Sequence, residues 1–120
     1  MAFTEVLGIL VENAMSHSPA DAAVSVSAMP VGDDVTVAVS NPGALPKDCD
    51  PAALFLPFQR GGDARSSGVG LGLYIAARLA DAMGGSIDVT SSDGRVTFTL
   101  RVPRNDHLTT VEPVTITLSA

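Results

Sequence analysis

Residues 86–102 read SIDVTSSDGRVTFTLRV, and their alternation decides the fold class. Ile87 and Val89 alternate with polar residues, Ser91-Ser92-Asp93-Gly94 forms a turn, and Val96, Phe98, Leu100 and Val102 alternate with Arg95, Thr97, Thr99 and Arg101. A period of two puts apolar side chains on one face and polar ones on the other, so the segment reads as an antiparallel hairpin. The pattern recurs upstream. Val24, Val26 and Ala28 alternate with Ser25 and Ser27, and Val35, Val37 and Val39 with Thr36, Ala38 and Ser40, around the turn PVGDD at 30–34. Strands covered on both faces would read as continuous apolar runs. The expectation is an α+β, two-layer sandwich with helices on one face of the sheet and solvent on the other.

Two segments have the helical period. In 4–17, Val6, Leu7, Leu10 and Ala14 share a face with Val11 at its edge, Glu5, Glu12 and Ser16 lie opposite, and Pro19 closes the segment. In 70–83, Leu71, Ile75, Leu79 and Ala82 form one stripe and Tyr74, Arg78 and Asp81 another face, with Gly84 placed as a left-handed cap. Between them, Pro42, Gly43, Pro46, Pro51 and Pro57 interrupt 41–60, whose Leu54, Phe55 and Phe58 should dock on the core. Residues 61–68, GGDARSSG, lack bulky apolar groups and are expected to be mobile without a ligand. After the linker 103–108, Val114, Ile116 and Leu118 alternate again. The pattern predicts that 110–118 add a strand to a sheet edge, in their own chain or a neighbour's, Pro113 confining them to an edge position.

Composition narrows the function. The chain has 120 residues, 46% hydrophobic and 17% charged, which suits one small folded domain. Seven basic and 13 acidic residues leave a net charge of −6, with Lys47 the single lysine, so the electrostatic footprint of a nucleic-acid binder is missing. No apolar run approaches the roughly 18 residues of a membrane span and no signal peptide opens the chain, so a cytoplasmic domain without membrane insertion is expected. The lone Cys49 excludes an intramolecular disulfide and a Cys-cluster zinc site, and His17 and His107 are far apart in sequence.

Five of the 11 glycines fall within 61–72. Gly68, Gly70 and Gly72 stand where the loop becomes the second helix. Backbone N–H groups at such a junction, with the positive end of the helix dipole, suit an anion such as a phosphate; close helix–sheet packing is the other use of these glycines. A Walker loop needs GK[ST], and no lysine is near. The dinucleotide fingerprint fails because Leu73 stands at its third glycine and RGGDARSS precedes Gly68 in place of an apolar strand. On the first helix, Asn13 falls about 60° from Leu10 while Glu12 points away at about 200°. A carboxamide at the margin of the buried stripe fits two roles, a structural Asn bonded to backbone or an oxygen ligand of a hydrated magnesium ion.

In this order and spacing the segments resemble a known family. VLGILVENAMSHSP looks like an N box, VSNPGALP like a modified G1 box, LFLPFQRG like an F box, and GVGLGLYIAARLADAMGGSI like a G2 box with its following glycine pair. The set, over about residues 4–103, resembles the ATP-binding catalytic domain of sensor histidine kinases, within the gyrase, Hsp90, histidine kinase and MutL ATPase superfamily. The resemblance implies the Bergerat fold, with a mixed, mostly antiparallel sheet. It divides the chain into a catalytic domain, 1–103, and a tail, 104–120. It implies ATP and Mg2+ as ligands. Asn13 would hold the magnesium, with Glu12 as the adjoining acidic, catalytic residue that polarises the reaction and His17 near the nucleotide. Asn41 would face the adenine amino group, and Gly43 would let the backbone approach the base. Phe55 and Phe58 would anchor the ATP lid, Arg60 and Arg65 would reach phosphates, and Gly68, Val69, Gly70, Leu71, Gly72 and Leu73 would form the phosphate cradle. The γ-phosphoryl group would pass to a histidine on a separate dimerisation domain or chain, and a response regulator would act downstream.

The sequence departs from the family pattern in several places. Asn41 replaces the usual aspartate, the second glycine of the G1 box is missing, Ile9 stands where many members have a further asparagine, and the lid between Phe58 and Gly68 is short. The strand that usually precedes the N-box helix and a phosphoacceptor motif are both absent, which reads as an N-terminal truncation or a split kinase. Two other functions fit the same residues: a catalytically weak nucleotide-binding regulatory domain, and an anti-sigma-type serine kinase, against which GLGL and AMGGSI argue.

Overall fold

Two hairpins laid side by side build most of the sheet. The computed structural model describes residues 2–16, 23–45, 50–56, 71–103 and 114–119. In chain order these form α1 (Ala2–Ser16), β1 (Ala23–Val31), β2 (Asp34–Pro42), a short 3-10 helix (Pro51–Phe55), α2 (Gly72–Ala82), β3 (Ser86–Ser92), β4 (Arg95–Pro103) and β5 (Val114–Ser119). The strand order is β3-β4-β2-β1-β5.

Both turns are shorter than the sequence pattern suggests. The first narrows from PVGDD to Gly32-Asp33, with Gly32 at φ 60°, so Pro30 lies inside β1 opposite Val35. Proline is tolerated there because β5 reaches only as far as Ala28 along the other side of β1. The second narrows to Asp93-Gly94, both at positive φ (55° and 75°), which is the backbone twist a two-residue hairpin requires. Every pairing among the described strands is antiparallel. The parallel component of the expected mixed sheet is therefore not found among them. β3 does run in the same direction as β2, but β4 separates the two.

The apolar face lies where the alternation puts it. Val35, Val37 and Val39 of β2 and Val96, Phe98, Leu100 and Val102 of β4 are buried, against Val6, Leu10 and Ala14 of α1. The two helices thus cover one face and the Ser/Thr-rich face stays open, as expected for the two-layer sandwich.

The second helix needs a correction. It starts at Gly72 rather than residue 70, and its buried residues are Leu73, Ala76 and Ala80, whereas Ile75 is 44% exposed. α2 has to approach both the sheet and α1, and alanines allow that closeness. Ranking faces by bulk therefore selected the wrong stripe. α2 ends in a Schellman arrangement, with Gly84 N–H donating to the Asp81 carbonyl at 3.0 Å and Gly85 N–H to the Ala80 carbonyl at 2.9 Å. Gly84 has φ 77°, so the expected left-handed cap is present. Gly84→Ala is expected to lower the unfolding free energy by about 1 kcal/mol, checked by urea denaturation.

Candidate functional site

The N-terminal turn of α2 is where the expected phosphate cradle meets the described residues. Its N-cap, Leu71 (φ −95°, ψ −23°), makes no side-chain capping hydrogen bond, and a leucine has no group with which to make one. The N-cap side chain thus bonds none of the first amides of the helix, which carry the positive end of the helix dipole. Leu73 is buried in the core, so it offers a ligand only its backbone.

Packing between the helices brings α1 to this turn. A Cβ placed on Gly72 would meet Ile9 Cγ2 at 3.5 Å, an ordinary van der Waals contact, so the start of α2 lies against α1. Asn13 is one helical turn beyond Ile9 on the same side of α1. It is half-buried, while Glu12 is exposed, the division the helical wheel predicts.

Asn41 belongs to the sheet. It continues the buried row Val35, Val37, Val39 on the helix-covered face of β2, and only 4% of it is exposed. Its Nδ2 donates to the Pro42 carbonyl at 3.0 Å, which leaves the carboxamide oxygen as the acceptor it can present. Gly43 follows at φ 141°, a conformation L side chains rarely adopt, and its surroundings are otherwise open: the nearest atom to an added Cβ would be Asn41 Nδ2 at 3.9 Å. Its requirement for glycine is therefore conformational rather than steric.

The support of this segment was not apparent from the sequence motifs. Gly43 N–H donates to the Gly94 carbonyl at 2.9 Å and Leu45 N–H to Ser91 Oγ at 3.2 Å, tying the chain after β2 to the β3–β4 turn. Behind it, on the open face, Arg95 Nε donates to Ser40 Oγ at 2.8 Å and Arg95 Nη2 to the Ser40 carbonyl at 3.0 Å. The alternation marks Arg95 only as polar; its partner on β2 comes from the strand register. Phe55 packs edge-on against Phe98 with ring centroids 6.1 Å apart, so the docking expected of Leu54 and Phe55 is observed. His17, Phe58, Arg60, Arg65, Gly68, Val69 and Gly70 lie outside the described residues.

The described geometry thus brings together a helix N-terminus without a side-chain cap, a half-buried carboxamide on the neighbouring helix, and a buried carboxamide at the end of a strand. A sequence model of the "Histidine kinase-, DNA gyrase B-, and HSP90-like ATPase" family matches residues 1–106, and the chain belongs to that family. Membership makes it an ATP-binding domain of the histidine kinase type. Among curated proteins it is similar to the sensor protein VanS of Enterococcus faecium, 37% identical over 97 residues, covering 78% of this chain and 25% of that protein. It is also 39% identical over 101 residues to the sensor-like histidine kinase SenX3 of Mycobacterium tuberculosis, covering 81% of this chain and 25% of that protein. The chain therefore spans about a quarter of the length of these relatives.

Solved structures agree with the fold. The catalytic domain of the histidine kinase ThkA superposes with a TM-score of 0.74 at 27% identity, over 85% of this chain and 66% of that one. Full-length ShkA, solved in complex with AMPPNP, gives a TM-score of 0.70 at 28% identity, over 85% of this chain and 21% of that one. Among the described residues no helix is long and apolar enough to cross a membrane.

Proposed function

We propose that this chain binds Mg-ATP and passes the γ-phosphoryl group to a histidine on a separate helical domain, in its own protein or another chain. This would be the kinase step of two-component signalling in the cytoplasm, upstream of a response regulator. Residues 1–103 would carry the activity and 104–120 would form a tail.

The observation that carries this reading is the uncapped start of α2, packed through Gly72 against the face of α1 that bears Asn13. A triphosphate brought to a chain of net charge −6 needs its own charge offset. The helix dipole and the amides of Leu71, Gly72 and Leu73, continued by Gly68, Val69 and Gly70, supply part of that. Bound magnesium would neutralise and orient the phosphate oxygens. The Asn13 carboxamide oxygen suits it, being a hard, neutral oxygen donor beside the phosphate cradle. Arg60 and Arg65 add positive charge from the lid, with Phe58 at its start. Glu12, exposed beside Asn13, would accept the proton lost by the attacking imidazole, directly or through water. In the transfer, an imidazole nitrogen forms the new P–N bond as the bond to the β,γ-bridging oxygen breaks, and ADP leaves.

Asn41 would face the base. With Nδ2 bonded to the Pro42 carbonyl, its oxygen would accept from an exocyclic amine, favouring adenine over a 6-oxopurine. Gly43 would keep the backbone close to the ring, and His17 would lie at the nucleotide's edge. Asn41→Ala is expected to weaken ATP binding about tenfold, the loss of one buried hydrogen bond, and to narrow the ATP-over-GTP preference. Competition titration with both nucleotides checks this.

The whole reading is tested by incubating the chain with ATP, Mg2+ and the helical acceptor domain of a similar kinase. Acid-labile, base-stable phosphate on a histidine is the expected product. Acid-stable phosphate on serine would indicate a serine kinase instead, and absence of nucleotide binding by calorimetry would overturn the proposal.

A further inference from the structure

The sheet ends on β5, and the physical character of that edge differs from the other. β5 pairs with β1 from Ala23↔Ser119 to Ala28↔Val114, and among the described strands nothing pairs with its outer side. An edge strand presents alternate N–H and C=O groups to any chain able to pair with them, and proteins usually blunt such edges with charge, proline, a bulge or a covering element. β3, at the opposite end, carries Asp88 and has the 3-10 helix packed beside it. Val114–Ser119, VTITLS, has no charge, no proline and no glycine, and pairs with β1 in unbroken register. Thr115, Ile116 and Thr117 are exposed.

Ile116 stands directly across from Val26, which is itself across from the buried Val39, so it lies on the helix-covered face of the sheet. Yet it remains 50% exposed at the end of that apolar row. An apolar β-branched side chain on the covered side of an uncharged edge is placed to be covered by another strand.

We propose that β5 is a self-pairing edge through which two copies of this chain join their sheets antiparallel. The strand is nearly its own complement. With a two-fold axis through Ile116, Thr115 pairs with Thr117 of the second copy and Val114 with Leu118, while the two Ile116 residues become neighbours. A two-fold axis normal to the sheet keeps both helical layers on one side, so Ile116 meets Ile116 and threonine meets threonine across the junction. The arrangement closes after two copies, because each β5 edge is used once. Each copy carries a net charge of −6, so association should strengthen as salt screens the repulsion. None of this depends on nucleotide binding.

Sedimentation velocity of the full chain, from micromolar to submillimolar concentration, is expected to show a reversible monomer–dimer equilibrium that shifts toward dimer with salt. Ile116→Lys should weaken the dimer by at least about tenfold by placing two like charges side by side, with an unchanged circular dichroism spectrum. Asp88→Glu on β3, which keeps the net charge, should leave it unaltered. Should Ile116→Lys also lose β5 from the sheet, hydrogen exchange on the unmodified chain remains decisive: amides of β5 should slow as concentration rises. A strictly monomeric chain, a dimer indifferent to Ile116→Lys with native dichroism, growth into open-ended aggregates, or β5 exchange independent of concentration would each overturn the proposal.

Discussion

Gly85→Ala is expected to lower the unfolding free energy by about 3 kcal/mol and the melting temperature by about 10 °C, far more than a surface glycine substitution. A Cβ at this position would collide with the Arg101 carbonyl oxygen and lie 3.0 Å from Val102 Cγ1. The oxygen cannot step aside cheaply. Arg101 is held in register between Thr36 of β2 and Ser86 of β3, so moving it disturbs the middle of the sheet. Nor can Gly85 retreat without losing its hydrogen bond to the Ala80 carbonyl, which closes α2. Alanine scans of the glycine pair by thermal and urea denaturation should therefore rank Gly85 well above Gly84. At Gly84 the cost is only the left-handed backbone, since a Cβ there would meet Pro103 Cγ at a comfortable 3.7 Å. Equal losses at the two positions would mean that β4 yields where the register says it should not.

Asn13→Ala is expected to remove the metal-dependent part of ATP affinity, a loss on the order of tenfold to a hundredfold in the presence of Mg2+, and to slow phosphoryl transfer by at least as much. Stability should change little, because Asn13 is half-buried at the margin of the core and its neighbours Leu10 and Ala14 carry the packing. Calorimetric titrations with Mg2+ and with a chelator separate the two contributions. In the chelator, Asn13→Ala should bind nucleotide as the parent chain does. Asn13→Asp restores an oxygen donor at the same place and should recover much of the Mg2+ dependence. A variant whose affinity falls by the same factor with and without the metal would assign Asn13 to the phosphates or to the fold.

Much of the fold could be read along the chain because the sheet is covered on one side. Val35-Thr36-Val37-Ala38-Val39 and Val96 to Val102 announce their faces by strict alternation, and burial follows it residue by residue. The first helix was equally clear, since Val6, Leu10 and Ala14 recur at the helical period with Glu5 and Glu12 opposite. α2 was less clear. Its buried stripe consists of Leu73 and two alanines, and a reading weighted by side-chain size prefers Ile75, which faces out. Hydrophobic bulk reports how much could be buried, whereas helix–helix proximity rewards what is small. At the candidate site, the glycine run and Asn13 stood out by residue type and spacing. The ties that hold Gly43 and Leu45 to the β3–β4 turn had no sequence signal, because both use backbone amides.

Residue order alone determined that this chain makes half-covered strands and two amphipathic helices, and its motif order marked it as a member of an ATPase family. Those properties are local: alternation, helical period and turn chemistry act over a few residues. Tertiary structure alone decided which strands are neighbours, that Val114–Ser119 lies along β1 of the same chain, and that Gly85 sits against the Arg101 carbonyl. These are relations between segments far apart in sequence, set by register and by how closely two backbones can approach, and no single segment contains them.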